Sequence, residues 1–194
     1  TYYPRAGDAL PKVSLAIYQL GAAAPLPVDL STYDDEILIS HVNWSPDGQQ
    51  LYFQVQNRQQ TWLDLCTVGS DQSKPRRLLR DTTDAWVQSP GAPHYLDDGS
   101  FLWLSEATGY RHIQHITAKR RRRRVLTAGK WEVQKILGVD EDLGFVYFLG
   151  NRESGAESHA YQVPLGNGRV TRLTRQAGNH SVRFNDSCSH YIDY

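Results

Sequence analysis

A spacing repeated along this chain of 194 residues constrains its fold more than any single motif. The first apolar residue after a recurring turn is Leu51, Phe101, Phe145 and Tyr191, at intervals of 50, 44 and 46. A leucine near the end of each unit stands at 30, 79, 126 and 173, at intervals of 49, 47 and 47. Two independent markers therefore share one period. Between them run short segments of alternating apolar and polar residues, the pattern of half-buried strands. Phe101-Leu-Trp-Leu-Ser105 is one, and after Thr108-Gly109 a second extends from Tyr110 to Ile116, so the two make a hairpin. Ser45-Pro-Asp-Gly48 and Asp97-Asp98-Gly99 are tight-turn signals in front of such strands.

A unit of four strands every 40–50 residues or so is the signature of a propeller blade. The expected fold is all-β: a β-propeller fragment of about four blades, each a four-stranded antiparallel sheet. The units fall at residues 1–36 (partial), 37–83, 84–129, 130–177 and 178–194 (partial). Expected strands include Val13–Leu20, Pro27–Leu30, Leu38–Trp44, Leu51–Val55, Thr61–Val68 and Arg76–Leu79. The next unit is expected to use Asp84–Val87, Pro93–Leu96, the hairpin above and Arg124–Thr127. The third is expected to use Trp131–Val133, Phe145–Leu149, Ala160–Val163 and Thr171–Thr174. Five Trp and eleven Tyr suit pleated, sheet-rich packing. Closed propellers hold about 4–8 blades, so the chain reads as an arc of a larger ring whose open edges invite self-association. It starts at Thr1, contains no Met and shows no signal-peptide pattern, which favours a segment of something longer.

Composition excludes several function classes. Lys+Arg and Asp+Glu are both 21, so no net charge draws the chain to nucleic acid or an acidic membrane. No run reaches the ~20 apolar residues of a membrane helix. Lys119–Arg124 is a conspicuous basic run, but it lies between two repeat strands and reads as a solvated hairpin tip. Nucleic-acid binding through it is the competing reading. His112 and His115, three apart in an extended segment, face opposite ways, while His94, His180 and His190 stand alone; no metal site is expected. Cys66 and Cys188 lack partners at metal spacing and read as buried free thiols. Asp34–Glu36 and Asp140–Asp142 read as solvated turn carboxylates. No Gly-x-Ser-x-Gly occurs, so no catalytic residue and no cofactor is expected in this chain.

Tyr3-Pro-Arg-Ala-Gly7 with Pro11-x-Val13 resembles the opening segment of this propeller half in the dipeptidyl peptidase IV family of prolyl serine peptidases. Pro93-His-Tyr95, Asp98-Gly-x-Phe101, Gly109-Tyr-Arg-His-Ile113, Leu126-Thr-x-Gly-x-Trp-Glu-Val133 and His180-Ser-Val-x-Phe184 are similar to that family in the same order. The resemblance covers essentially the whole chain. It implies the second half of an eight-bladed N-terminal propeller, preceding an α/β-hydrolase domain that carries the catalytic Ser, Asp and His. That domain of the same parent chain and peptide substrates are the implied partners, and the implied role is gating substrate access and lining the chamber in which N-terminal dipeptides are removed. Periplasmic or secreted localisation is what the family favours. One substrate-pocket loop is implied here, at Trp86, Val87, Gln88 and Ser89. The segment Gln88–Ala92 is shorter than in the mammalian enzymes and carries neither their Phe nor their Arg, so a plain connecting loop is the other reading. A TolB- or WD-like propeller acting as a protein-binding platform is the alternative for the whole chain.

Overall fold

Turns rich in Gly, Asp and Pro cut the chain into sixteen strands among the described residues. The computed structural model describes residues 7–8, 10–117, 122–166 and 168–194, and none of these is helical. Among the described residues, no helix is long and apolar enough to cross a membrane. β1 (Ala16–Ile17) and β2 (Leu26–Pro27) form a two-stranded sheet. β3 (Ile37–Trp44), β4 (Gln50–Asn57), β5 (Trp62–Gly69) and β6 (Arg76–Thr82) form a four-stranded one. A second comprises β7 (His94–Tyr95), β8 (Phe101–Ser105), β9 (His112–Ile116) and β10 (Arg123–Val125). A third comprises β11 (Val133–Asp140), β12 (Phe145–Gly150), β13 (His159–Pro164) and β14 (Thr171–Arg172). β15 (Val182–Phe184) and β16 (Tyr191–Asp193) make a final pair. Each sheet is antiparallel and ordered as in the chain, which is the blade meander of a propeller.

The chain divides into two compact units, Thr1–Ala92 and Pro93–Tyr194. In the first, alternate residues Leu51, Phe53 and Val55 of β4 join Ile17, Val28, Ile37, Cys66 and Val68 in one apolar core. In the second, Leu102 and Ile113 meet Val146, Phe148, Tyr161, Val163 and Trp131. Full burial of a Phe or Val stabilises by about 1.5–3 kcal/mol, so these strand faces fix how neighbouring sheets stack. β8 is buried on both faces: Phe101, Leu102, Trp103 and Ser105 are all inaccessible. The turn chemistry holds too. Gly48 and Gly99 take φ of +69° and +76°, conformations open chiefly to glycine. Asp47 and Asp98 accept the backbone N–H of Gln49 and Ser100, respectively.

Several expected strands are displaced. Asp84–Val87 is a loop, because its backbone groups bond to β4 side chains and the β4–β5 turn instead of to a ladder (below). Val13–Leu20 shrinks to two paired residues, and Pro27–Leu30 shifts to Leu26–Pro27. Trp131–Val133 is the approach to β11, whose strand runs on to Asp140 with two bulges that hide its alternation. At the second bulge, a Cβ on Gly138 would lie 2.6 Å from the Cys188 sulfur. Arg124–Thr127 and Thr171–Thr174 pair over shorter spans, at Arg123–Val125 and Thr171–Arg172. Lys119–Arg121 and the Tyr3–Ala6 part of the opening motif lie outside the described residues. Arg122–Arg124 are exposed at the β9–β10 turn, where the Arg122 N–H donates to Thr117 Oγ1 at 3.1 Å.

Candidate functional site

Four polar side chains on β4, Gln50, Tyr52, Gln54 and Gln56, point away from the apolar core because strand side chains alternate. Gln54 and Gln56 are nonetheless buried, and the segment after β6 is what satisfies them. Gln56 Nε2 donates to the Val87 carbonyl at 2.8 Å. Gln54 Nε2 donates to the Gly91 carbonyl at 2.6 Å, and Ser89 Oγ donates to Gln54 Oε1 at 2.9 Å. The Val87 N–H donates to the Gln60 carbonyl at 2.7 Å, and Gly91 closes the loop at φ +87°. Val87 is buried beneath this strapping, whereas Trp86 projects outward, 62% exposed. The structure thus separates the four predicted site residues: Val87 and Ser89 anchor the loop, Gln88 is exposed, and Trp86 offers an aromatic face. Neither glutamine was singled out from sequence. The alternating Gln54-Val-Gln56 was the available signal.

Among the described residues, the hydroxyl–imidazole contact of His115 with Ser100 is not arranged for nucleophilic catalysis. His115 Nε2 lies 2.8 Å from Ser100 Oγ, yet Ser100 is completely buried and His115 Nδ1 has no hydrogen-bond partner to orient it. Burial holds the His115 pKa below the usual value, with Asp98 opposing. A base needs a reachable nucleophile and a positioned ring. His112 and His115 do face opposite ways: His112 bonds Thr127 and Gly129. Among the described residues, no three His, Cys, Asp or Glu side chains converge as a metal site would require.

Asp140–Asp142 are not an isolated turn. With Asp97 and Asp186 they border a groove of about 520 Å³, where the Glu141 carboxylate accepts the Asp97 N–H at 3.0 Å. Sequence spacing gave no sign of this grouping, which joins turns 44 residues apart.

In each full sheet a buried polar side chain on the third strand meets a polar partner on, or just after, the fourth. Leu79 faces Leu65, and the N–H groups of Leu126 and Leu173 donate to Ile113 and Ala160. The residues preceding these three partners are Asp64, His112 and His159, all buried. Asp64 accepts from Arg80 Nε at 2.6 Å and Nη2 at 2.8 Å, and from the Tyr33 hydroxyl at 2.9 Å. Arg77 stands 3.5 Å away, and Arg80 also lies over the Trp62 ring. Burial, followed by its contacts with Cys66 and Asp64, raises the Tyr33 pKa far above the usual phenol value, and burial pushes the Cys66 thiol up to about 11. His112 and His159 are instead paired with hydroxyls. Thr127 and Thr174 each accept a backbone N–H, from Ile113 and Ala160. The same hydroxyls meet the His Nδ1 atoms, 3.1 and 3.0 Å away. His112 Nε2 then donates to the Gly129 carbonyl and His159 Nε2 to Glu157, both at 3.0 Å. These are scaffold groups. Cys66 and Cys188 are free and buried, as the sequence reading expects.

The family model for the dipeptidyl peptidase IV (DPP IV) N-terminal region matches residues 1–194. The chain belongs to that family. It is 26% identical over 200 residues to dipeptidyl peptidase 4 of Arthroderma otae, covering 98% of this chain and 26% of that protein. It is 30% identical over 209 residues to a probable dipeptidyl-aminopeptidase B of Emericella nidulans, covering 98% and 23%. The crystal structure of Porphyromonas gingivalis dipeptidyl peptidase 4 superposes with a TM-score of 0.88 at 27% identity, over 98% of this chain and 27% of that one. The chain thus spans about a quarter of the length of the relatives it matches. The fold class and family inferred from the repeat and its ordered motifs are those observed. Nothing in these matches assigns a role to Trp86–Ser89.

Proposed function

We propose that this chain is the non-catalytic propeller portion of a dipeptidyl peptidase IV-like serine peptidase, where it gates entry to, and lines, a chamber in which N-terminal dipeptides are removed. The observation that carries this reading is the family match along residues 1–194, together with relatives that bear the dipeptidyl peptidase name over much longer chains. The catalytic α/β-hydrolase domain of the same protein is the partner this role requires. Stacked four-stranded sheets resist deformation because their cores are close-packed, so a wall built of them excludes folded proteins by size and needs few reactive groups.

Within that wall, the segment Trp86–Ser89 is the substrate-facing loop. Trp86 supplies a stacking surface for an extended peptide, while Val87 and Ser89, tied to Gln56 and Gln54, hold it in place.

The test uses the full-length peptidase. It is expected to cleave a short Xaa-Pro chromogenic peptide at least about a hundredfold faster, in kcat/KM, than the same N-terminus on a folded protein, a gap of roughly 2.7 kcal/mol. Trp86→Ala should raise KM for longer peptides several-fold and leave kcat for the chromogenic dipeptide unchanged. Equal rates on folded and short substrates would overturn the gate. A coding sequence without Gly-x-Ser-x-Gly after Tyr194 would favour the binding platform.

A further inference from the structure

The His180 ring lies between two groups that only accept hydrogen bonds. Its Nε2 is 3.0 Å from the Gln176 carbonyl. Its Nδ1 is 2.8 Å from both oxygens of the Asp193 carboxylate. A neutral imidazole has one N–H and one lone pair. It would satisfy one of these acceptors and turn its lone pair on the other. The imidazolium satisfies both, so the geometry assigns the doubly protonated ring.

The surroundings are consistent with that state. The His180 side chain is 10% exposed and that of Asp193 33%, so water weakens the contact only in part. From β13, the His159 ring packs at 5.0 Å, with its own nitrogens taken up by the Thr174 and Glu157 contacts described above. Glu157 meets His159, and the charge on Arg172 of β14 opposes a proton on His180. The Gln176 carbonyl and then Asp193 outweigh that opposition and raise the His180 pKa. The His180 N–H also donates to the Ser158 carbonyl at 2.9 Å. The ring thus joins two elements: the turn that follows β14 and the outer strand of the β15–β16 hairpin.

We propose that His180 is a proton-operated latch, holding the β15–β16 hairpin to the turn after β14 while charged and loosening it when the proton leaves. The sign follows from linkage. A pKa raised in the folded state gives a contribution that is complete below the unfolded value, about 6.5. It fades as pH rises through the folded value. The hairpin therefore tightens in mildly acidic surroundings and frays in alkaline ones.

Two readouts on the chain test this. Nitrogen and Cε1 NMR shifts of His180 are expected to show both nitrogens protonated at neutral pH and a midpoint above the ordinary histidine value. Amide exchange at Ser181 and Tyr194, which exchange backbone hydrogen bonds across the hairpin, should accelerate beyond base catalysis as pH crosses that midpoint. The extra loss is about tenfold in protection per unit of pKa elevation. His180→Gln should abolish this pH dependence, and Asp193→Asn should move the midpoint down. A midpoint at or below the ordinary value in the unmodified chain would overturn the latch. So would protection at Ser181 and Tyr194 that follows base catalysis alone, even if a variant fails to fold.

Discussion

Asp64 on β5, His112 on β9 and His159 on β13 are buried at one equivalent place and are met by different chemistry from β6 or from the residues just after β10 and β14. Next to Leu65 it is an ion pair, Asp64 with Arg80, braced by Tyr33. Next to Ile113 and Ala160 it is an imidazole on a hydroxyl. The first arrangement buries one charge, the Asp64 carboxylate, and meets it with an arginine whose own side chain stays partly in water. The second sets an imidazole against a hydroxyl, and each group has a hydrogen-bond partner. A repeated fold therefore keeps a position for one buried polar side chain without keeping its identity or its partner.

The largest effect should come from breaking the ionic version on one side. Asp64→Ala removes the buried carboxylate to which Arg80 and the Tyr33 hydroxyl donate; Arg80 keeps its contact with water, and each hydrogen bond to a charged group contributes about 1.5–3 kcal/mol. For a chain of this size that lowers Tm by roughly 10 °C, readable by calorimetry. A loss under about 1 kcal/mol would mean that water replaces the carboxylate. The imidazole–hydroxyl version should be more forgiving. Thr127→Val strands the Ile113 N–H and His112 Nδ1, at about 1–3 kcal/mol in denaturant titrations. Thr174→Val should match it. Equal losses for Asp64→Ala and Thr127→Val would erase the distinction. The smallest effect is chemical. With the Cys66 thiol pushed up to about 11 by burial, only about one thiol in a thousand is ionised at pH 8, and thiolate is the reactive form. Maleimide should label Cys66 far more slowly than a free thiol. Above the ordinary thiol range the unfolded chain loses this proton first, so stability falls with rising pH until about 11. Rapid native labelling at pH 8 would show that the ionic cluster opens.

How much of this was legible in sequence depends on how local each signal is. Phe101–Ser105 and Phe145–Leu149 read correctly because alternation and an adjacent glycine turn are short-range properties. Asp84–Val87 misled because its apolar content resembles a strand, while its backbone groups bond to Gln56 and Gln60, about thirty residues earlier. β11 was missed over most of its length because two bulges shift its period. His180 read as solitary since Asp193 reaches it only after the β15–β16 hairpin forms. Asp64 and Arg80 are 16 residues apart; only strand register puts them together. At the candidate site, Trp86 was visible as an aromatic in a loop, and its anchors Gln54 and Gln56 were not, because burial of a glutamine depends on what later covers it.

Gly138 carries one more consequence. Its missing side chain is replaced by the sulfur of Cys188, which arrives from the β15–β16 turn and fills the space beside the β11 bulge. Two positions fifty residues apart in sequence therefore share one allotment of volume. A change at one is felt at the other: alanine at 138 requires the Cys188 sulfur to move aside or a smaller residue to stand there. Across homologous propellers the two sites should covary in size, with one bulky partner present at a time.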